Sequence, residues 1–345
     1  MGKGDKRSKR GKIRIGSFGV NRPKNKGEKT QKHNNKLIIN FMNIQENALN
    51  ELINIANKLG SVDYSYIVEL ISNSIRFVPI TLAKLHKGAM IDRVRMNKGE
   101  TLFTSESEIS YIKDRNVIDN YLTEFGRANK PHESLFYGAI ESTQIDMQRA
   151  TALFESCSLF KDINSVCIEG QLCTVSRWEV LEELIVAEMV FSDEALATNP
   201  DIQKSFAFHF DQVKEHPARE IALRQLQFFS NQYARKINTH EDYKISVAFS
   251  ELLLSKIDVA GIAYPSVASE LKGQNIVLKP EIVDKFLKLK VVSTMRVHKN
   301  GLKSFVTNHK YVNNINDNNS NFNWIDTDSK DLSNEEEIKH YLGLS

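Results

Sequence analysis

Hydrophobic positions along this chain change period several times, and each change marks an element. Residues 44–59 place Ile44, Leu49, Leu52, Ile53, Ile55 and Ala56 at helical spacing, with Gly60 as the stop. A second helix is predicted over 63–77, where Ile67, Leu70, Ile71 and Ile75 share a side and Val78-Pro79 ends it. The period then falls to two in LHKGAMIDRVRMNKGETLFT, which reads as a strand or hairpin. Arg93 and Arg95 project from one face of it, either as a phosphate clamp or as the wet side of a sheet.

The centre of the chain runs from a polar loop to an apolar strand to an amphipathic helix. In SLFYGAI (134–140), Leu135, Tyr137 and Ala139 point one way and Phe136 and Ile140 the other. Gly138 inside that run implies close approach of another backbone or a ligand. From Ile145 the helical period returns, with Met147, Ala150, Phe154 and Cys157 as the expected buried stripe and Glu155 at its edge. Arg127, Tyr137 and Glu155 are thereby candidates to line one cleft. On spacing alone the favoured reading is the plainer one, a solvated arginine, a half-buried tyrosine and an exposed glutamate.

Beyond this, 166–178 is strand-like and about Glu179–Phe191 is expected to be helical. Residues 200–256 carry strong helical periodicity, with Pro217 as a helix start. Val259–Tyr264 is a buried-type strand ended by Pro265, with Ser266 in the turn after it. Asn275–Leu278 is another strand, Pro280 opens a short helix, and Asn300-Gly301 turns a hairpin. From Asn308 the tail is rich in Asn and Asp and is expected to be disordered. A short helix at Ser333–Leu342 would be opened by a Ser333/Glu336 capping box.

Composition changes this picture mainly at the N-terminus. Residues 1–40 hold thirteen Lys/Arg against two acidic groups, leaving 33 basic against 41 acidic in the remainder. The opening GKGDKRSKRGKIRIGSFGVNRPKNKG lacks core-forming residues and is expected to be a disordered arm for an anionic partner, nucleic acid phosphate above all. Three cysteines without CxxC spacing suit reduced thiols in a cytoplasmic protein, and no metal site is expected. No apolar run is long enough to span a bilayer, and HExxH, P-loop and GxGxxG patterns are absent.

The opening residues also resemble the small ribosomal subunit peptide Thx, through Gly2–Asp5, Lys6–Ile13, Gly16–Gly19 and Arg22–Lys26. That resemblance implies insertion between ribosomal RNA helices. Lys6, Arg7, Lys9, Arg10, Lys12, Arg14 and Arg22 would sit on phosphates, and Phe18 would be available for stacking. Met42 is a candidate independent start.

Further along, IDRVR (91–95), GRAN (126–129), LFYGA (135–139), ATALFE (150–155), AGIAYPS (260–266) and NIVL (275–278) together resemble the RES-domain family. The resemblance implies an ADP-ribosyltransferase-like α+β fold, a mixed, mostly antiparallel split sheet with added helices. It also implies cleavage of the nicotinamide–ribose bond of NAD+ by phosphorolysis or hydrolysis, without a metal, and in many members a toxin role countered by an Xre-type antitoxin. Glu155, Arg127 and Ser266 would then be catalytic, and Arg93, Arg95, Tyr137 and Asn129 would hold NAD+. Glu141 is the alternative carboxylate. The expected organisation is a Thx-like peptide (1–26), a linker (27–41), N-terminal helices (42–84), a RES-like domain with a helical insert (85–307) and the Asn-rich tail (308–345). Two other functions compete: a non-enzymatic RNA-binding protein of the small ribosomal subunit, and an ADP-ribosyltransferase acting on protein.

Overall fold

The computed structural model describes residues 28–315, 321–328 and 334–344, and the Thx-like residues 1–26 lie outside them. It begins with a 28-residue helix, α1 (Glu28–Ile55). The stretch read as a linker is therefore helical from Glu28: its Glu, Lys and Gln are good helix formers, and polarity alone had masked that. Phe41 and Met42 pack against Leu49, Ala218 and Ile221, which ties this part of α1 to a core and leaves no break in the helix at Met42.

The chain continues through α2 (Tyr64–Ser74), β1 (Thr81–Leu85) and β2 (Met90–Met96). Next come α3 (Glu106–Ile109), opened by a Ser105/Glu108 capping box, and α4 (Arg115–Tyr121), capped by Asp114. They lead to β3 (Phe136–Ile140), α5 (Gln148–Ser156), β4 (Val166–Val180) and β5 (Leu184–Glu188). Residues 179–191 thus hold the end of one strand and all of another, where a helix was expected. Glu179, Glu182 and Glu183 stand at helical spacing, but Leu184, Ile185 and Val186 pair along β1. Four helices follow: α6 (Asp193–Thr198), α7 (Pro200–Gln212), α8 (Arg219–Ala234) and α9 (Lys244–Lys256). The remaining elements are β6 (Gly261–Pro265), β7 (Gln274–Leu278), α10 (Pro280–Phe286), β8 (Leu287–Asn300), β9 (Lys303–Val312), β10 (Trp324–Asp326) and α11 (Glu335–Tyr341).

The protein is α+β, and its backbone divides into two units. The first comprises residues 1–86, 125–130 and 183–262. It pairs β1 with β5 antiparallel, so β1 does not form a hairpin with β2. Gln45, fully buried, accepts the backbone N–H groups of Arg76 and Phe77, which stitches α1 to the end of α2.

The second unit comprises residues 87–124, 131–182 and 263–345. Its strands follow the order β6-β7-β3-β2-β4-β8-β9-β10. The pairings β7/β3, β3/β2, β2/β4, β4/β8, β8/β9 and β9/β10 are all antiparallel. β8 and β9 form the expected hairpin around Asn300-Gly301, with Gly301 at φ 60°. The tail departs from the expectation of disorder: Trp324 pairs with Val312 and donates from Nε1 to the Phe103 carbonyl at 2.8 Å. The capping box of α11 is Asn334/Glu337, one residue later than the expected pair, whose Ser333 is outside the described residues.

Register decides which residues share a face. Asn275, Ala139, Asp92 and Arg177 stand directly opposite one another across β7, β3, β2 and β4. Helix α5 lies on that face, packing Ala152 and Leu153 against Val94, Ala139, Val175 and Met295, with Cys157 and Cys173 fully buried in the same cluster. The stripe expected on α5 is rotated: Thr151, Ala152 and Leu153 are buried, while Met147 caps the helix and is exposed. Gly138 does mark a close approach, since a Cβ there would lie 2.5 Å from Ile91 Cγ2 and 3.2 Å from the Asp92 carbonyl.

Candidate active site

Glu155 leaves α5 near its C-terminal end, half-buried. Its Oε1 accepts two hydrogen bonds, from Ser266 Oγ at 2.6 Å and from Asn275 Nδ2 at 2.7 Å. Ser266 is fully buried and Asn275 is 6% exposed. Among the described residues no donor reaches Glu155 Oε2. One carboxylate oxygen is therefore locked and the other stays open, a geometry set by three separate elements.

Each element is itself held. Ser266 follows β6 and caps the 3₁₀ turn Val267–Ser269 by accepting the Ser269 N–H at 3.2 Å. Its backbone N–H donates to the Gly273 carbonyl, closing the loop that leads into β7. Helix α5 comes very close to that loop: a Cβ on Gly273 would lie 2.2 Å from Thr151 Oγ1 and 2.7 Å from Ser269 Oγ. Only a glycine allows this approach. Asn275 enters from β7, opposite Ala139, whose small side chain leaves room above the strand. The near edge of α5 is anchored on β2, where Ser156 Oγ donates to the Val94 carbonyl and Gln148 Nε2 to the Met90 carbonyl.

Tyr137 lies two residues before Ala139, so strand alternation puts it on the same face as Asn275 and Glu155. It is half-buried, and its carbonyl is engaged by Arg93. The alternation of β2 sends Arg93 and Arg95, the arginines expected to hold NAD+, to the face opposite Glu155. Arg93 donates through Nε to the Ile109 carbonyl at 3.1 Å and through Nη1 to the Tyr137 carbonyl, and stacks 5.2 Å from the Phe136 ring. Arg95 donates to the Glu108 carbonyl and lies 5.4 Å from the Phe103 ring. Both guanidiniums thus satisfy carbonyls at the end of α3, where a cation is favoured. Desolvation, and then repulsion from Arg95, lowers the proton affinity of Arg93.

Arg127 and Asn129 belong to the first unit. Arg127 Nη1 donates to the Tyr233 carbonyl at 2.6 Å and the Arg235 carbonyl at 3.3 Å, at the end of α8, and its guanidinium lies 4.9 Å from the Tyr243 ring. Asn129 Nδ2 donates to the Lys130 carbonyl, and its own carbonyl accepts the Gly126 N–H. Glu141, the alternative carboxylate, is exposed just beyond β3. The basic residues Lys6, Arg7, Lys9, Arg10, Lys12, Arg14 and Arg22 lie outside the described residues.

Two features of this face went unread in the sequence. Asn275 opens the NIVL motif, but its direct link to Glu155 has no local signal in the sequence. The ion pair of Asp92 and Arg177 is bidentate, with both contacts at 2.7 Å, and Asp92 is fully buried. Its hydrogen bonds to Asp92 raise the Arg177 pKa. Alternating charge on neighbouring strands was the only trace of that pair.

Among the described residues no cluster of His, Cys, Asp and Glu could hold a metal ion, and no helix is long and apolar enough to cross a membrane. Compared with family models and with curated proteins, the chain matches none of them.

Proposed function

We propose that the protein cleaves the nicotinamide–ribose bond of NAD+. The observation that carries this is the half-buried carboxylate of Glu155, held through Oε1 by Ser266 and Asn275 and open at Oε2. Glu155 and Ser266 are also the glutamate and serine that the RES-domain resemblance singles out.

The chemistry suits that arrangement. When the bond breaks, its electron pair leaves with nicotinamide and positive charge builds on the ribose anomeric carbon. A fixed carboxylate oxygen near that carbon stabilises the charge as it develops, and being already oriented it reorganises little during the reaction. The Ser266 and Asn275 hydrogen bonds hold the carboxylate against rotation. Tyr137, on the same face, offers a ring for stacking on nicotinamide.

The test is nicotinamide release from NAD+ by the purified full chain, with and without inorganic phosphate. Release giving ADP-ribose indicates water as acceptor, and ADP-ribose phosphate indicates phosphorolysis. A labelled protein product indicates transfer to a side chain. No release under any of these conditions refutes the proposal.

The basic start supports a second component of the reading. Ten Lys/Arg in residues 1–26, in a Thx-like pattern, suit an arm that binds ribosomal RNA.

A further inference from the structure

Asn275 reaches Glu155 from β7, an element separate from the turn that carries Ser266. Ser266 already donates to Glu155 Oε1, so one bond suffices to satisfy that oxygen. A second donor, nearly buried on a different strand, arrives at the same atom 2.7 Å away. Two donors from different elements fix the plane of a carboxylate, whereas a single hydroxyl lets it swivel. Asn275 is the second residue of the β3–β7 ladder, opposite Ala139, with Ile276, Val277 and Leu278 all buried after it. Its backbone is thus held in the sheet.

We propose that Asn275 is a positioning residue: with Ser266 it locks one carboxylate oxygen of Glu155 and so fixes the orientation in which the other meets the substrate. This inference rests on the proposed cleavage of NAD+, and it makes a demand that a merely structural asparagine does not. The donor must be an uncharged N–H. A carboxylate of the same size at this position would face Glu155 across hydrogen-bond distance, and two carboxylates that close take up a shared proton at higher pH than one alone. Below that pH the open oxygen of Glu155 loses its charge. The acidic limb of turnover would therefore move to higher pH in Asn275→Asp, while Asn275→Ala would lower kcat with no such displacement.

The experiment compares wild type, Asn275→Asp, Asn275→Ala and Glu155→Gln as full chains, by nicotinamide release across pH and by thermal melting. The expected result is a roughly ten- to hundred-fold loss of kcat in Asn275→Ala with KM little changed, the size of one hydrogen bond to a charged group. Asn275→Asp is expected to show the displaced acidic limb and partial recovery at alkaline pH. Because Asp matches Asn in size, its melting curve reports the fold independently of activity. Wild-type pH profiles and kcat in both folded Asn275 variants would overturn the inference. If Glu155→Gln is still inactive in that case, the cleavage reading survives and only the role of Asn275 falls. If Glu155→Gln is also fully active, both fall.

Discussion

Glu155→Gln separates a catalytic carboxylate from a structural one, and the site geometry sets what to expect. Both donors aim at Oε1, at 2.6 and 2.7 Å, so the glutamine must put its carbonyl oxygen there. Its NH2 group then occupies the place of Oε2 and turns a partial positive charge toward the reacting carbon. The two retained hydrogen bonds change from charge-assisted to neutral, a loss of about 1 kcal/mol each, or about 2 kcal/mol of stability at most. Relief from keeping a half-buried charge offsets part of that. Turnover should suffer more, by about 3–4 kcal/mol, because an electrostatic contact made in the transition state is removed and partly reversed. That corresponds to roughly two to three orders of magnitude in kcat, with KM for NAD+ little altered. Steady-state nicotinamide release and a melting curve on one preparation give both numbers. A folded variant with near-wild-type kcat would refute the reasoning and direct attention to Glu141.

Gly273→Ala tests the close approach of α5 to the loop after Ser266. The new methyl would meet Thr151 Oγ1 at 2.2 Å and Thr151 Cγ2 at 2.6 Å, so a destabilisation of about 1–3 kcal/mol is expected in urea melts, with reduced turnover as Glu155 shifts. An unchanged midpoint would show that the loop yields freely. Arg93→Lys loses the fork that bridges the Ile109 and Tyr137 carbonyls, so the melting temperature should fall while KM for NAD+ stays constant. A large rise in KM with an unchanged melting curve would return Arg93 to the substrate. The basic start should bind ribosomal RNA with steep salt dependence, weakening by about three orders of magnitude or more from low to physiological ionic strength if six or more phosphates are neutralised. Removing residues 1–27 should abolish that binding and leave nicotinamide release intact. Salt-independent binding, or loss of activity with the arm, would count against this division of labour.

Much of the second unit could be read in the sequence because its strands carry short periods bounded by Gly and Pro. Gly138, Pro265, Pro280 and Gly301 each punctuate the chain where the structure turns or packs closely. What failed depended on distant partners. Residues 179–191 have the glutamate spacing of a surface helix and become strand only because β1 and β8 supply ladders for them. Trp324 escapes a polar tail because β9 has an open edge to receive it. On α5, a buried Thr151 broke the expected apolar stripe, since the helix packs on a loop as well as on a sheet. Glu155 and Ser266 were both picked out, yet no spacing rule could say that they touch across 111 residues. The arginines of β2 were read correctly as sharing a face. Their partners, backbone carbonyls at the end of α3, carry no signature in the sequence at all.

The paired thiols beneath α5 give this layer a built-in clock. Cys157 immediately follows the helix and Cys173 lies on β4 below it, both fully buried, and burial raises both thiols, Cys173 to about 12. Neither forms appreciable thiolate at neutral pH while the layer is closed, so an alkylating reagent can modify them only when α5 lifts from the sheet. Cys167, partly exposed on β4, labels without that motion and serves as the internal reference. Since Cys157 is two residues from Glu155, its modification rate times the opening of the very segment that carries the carboxylate.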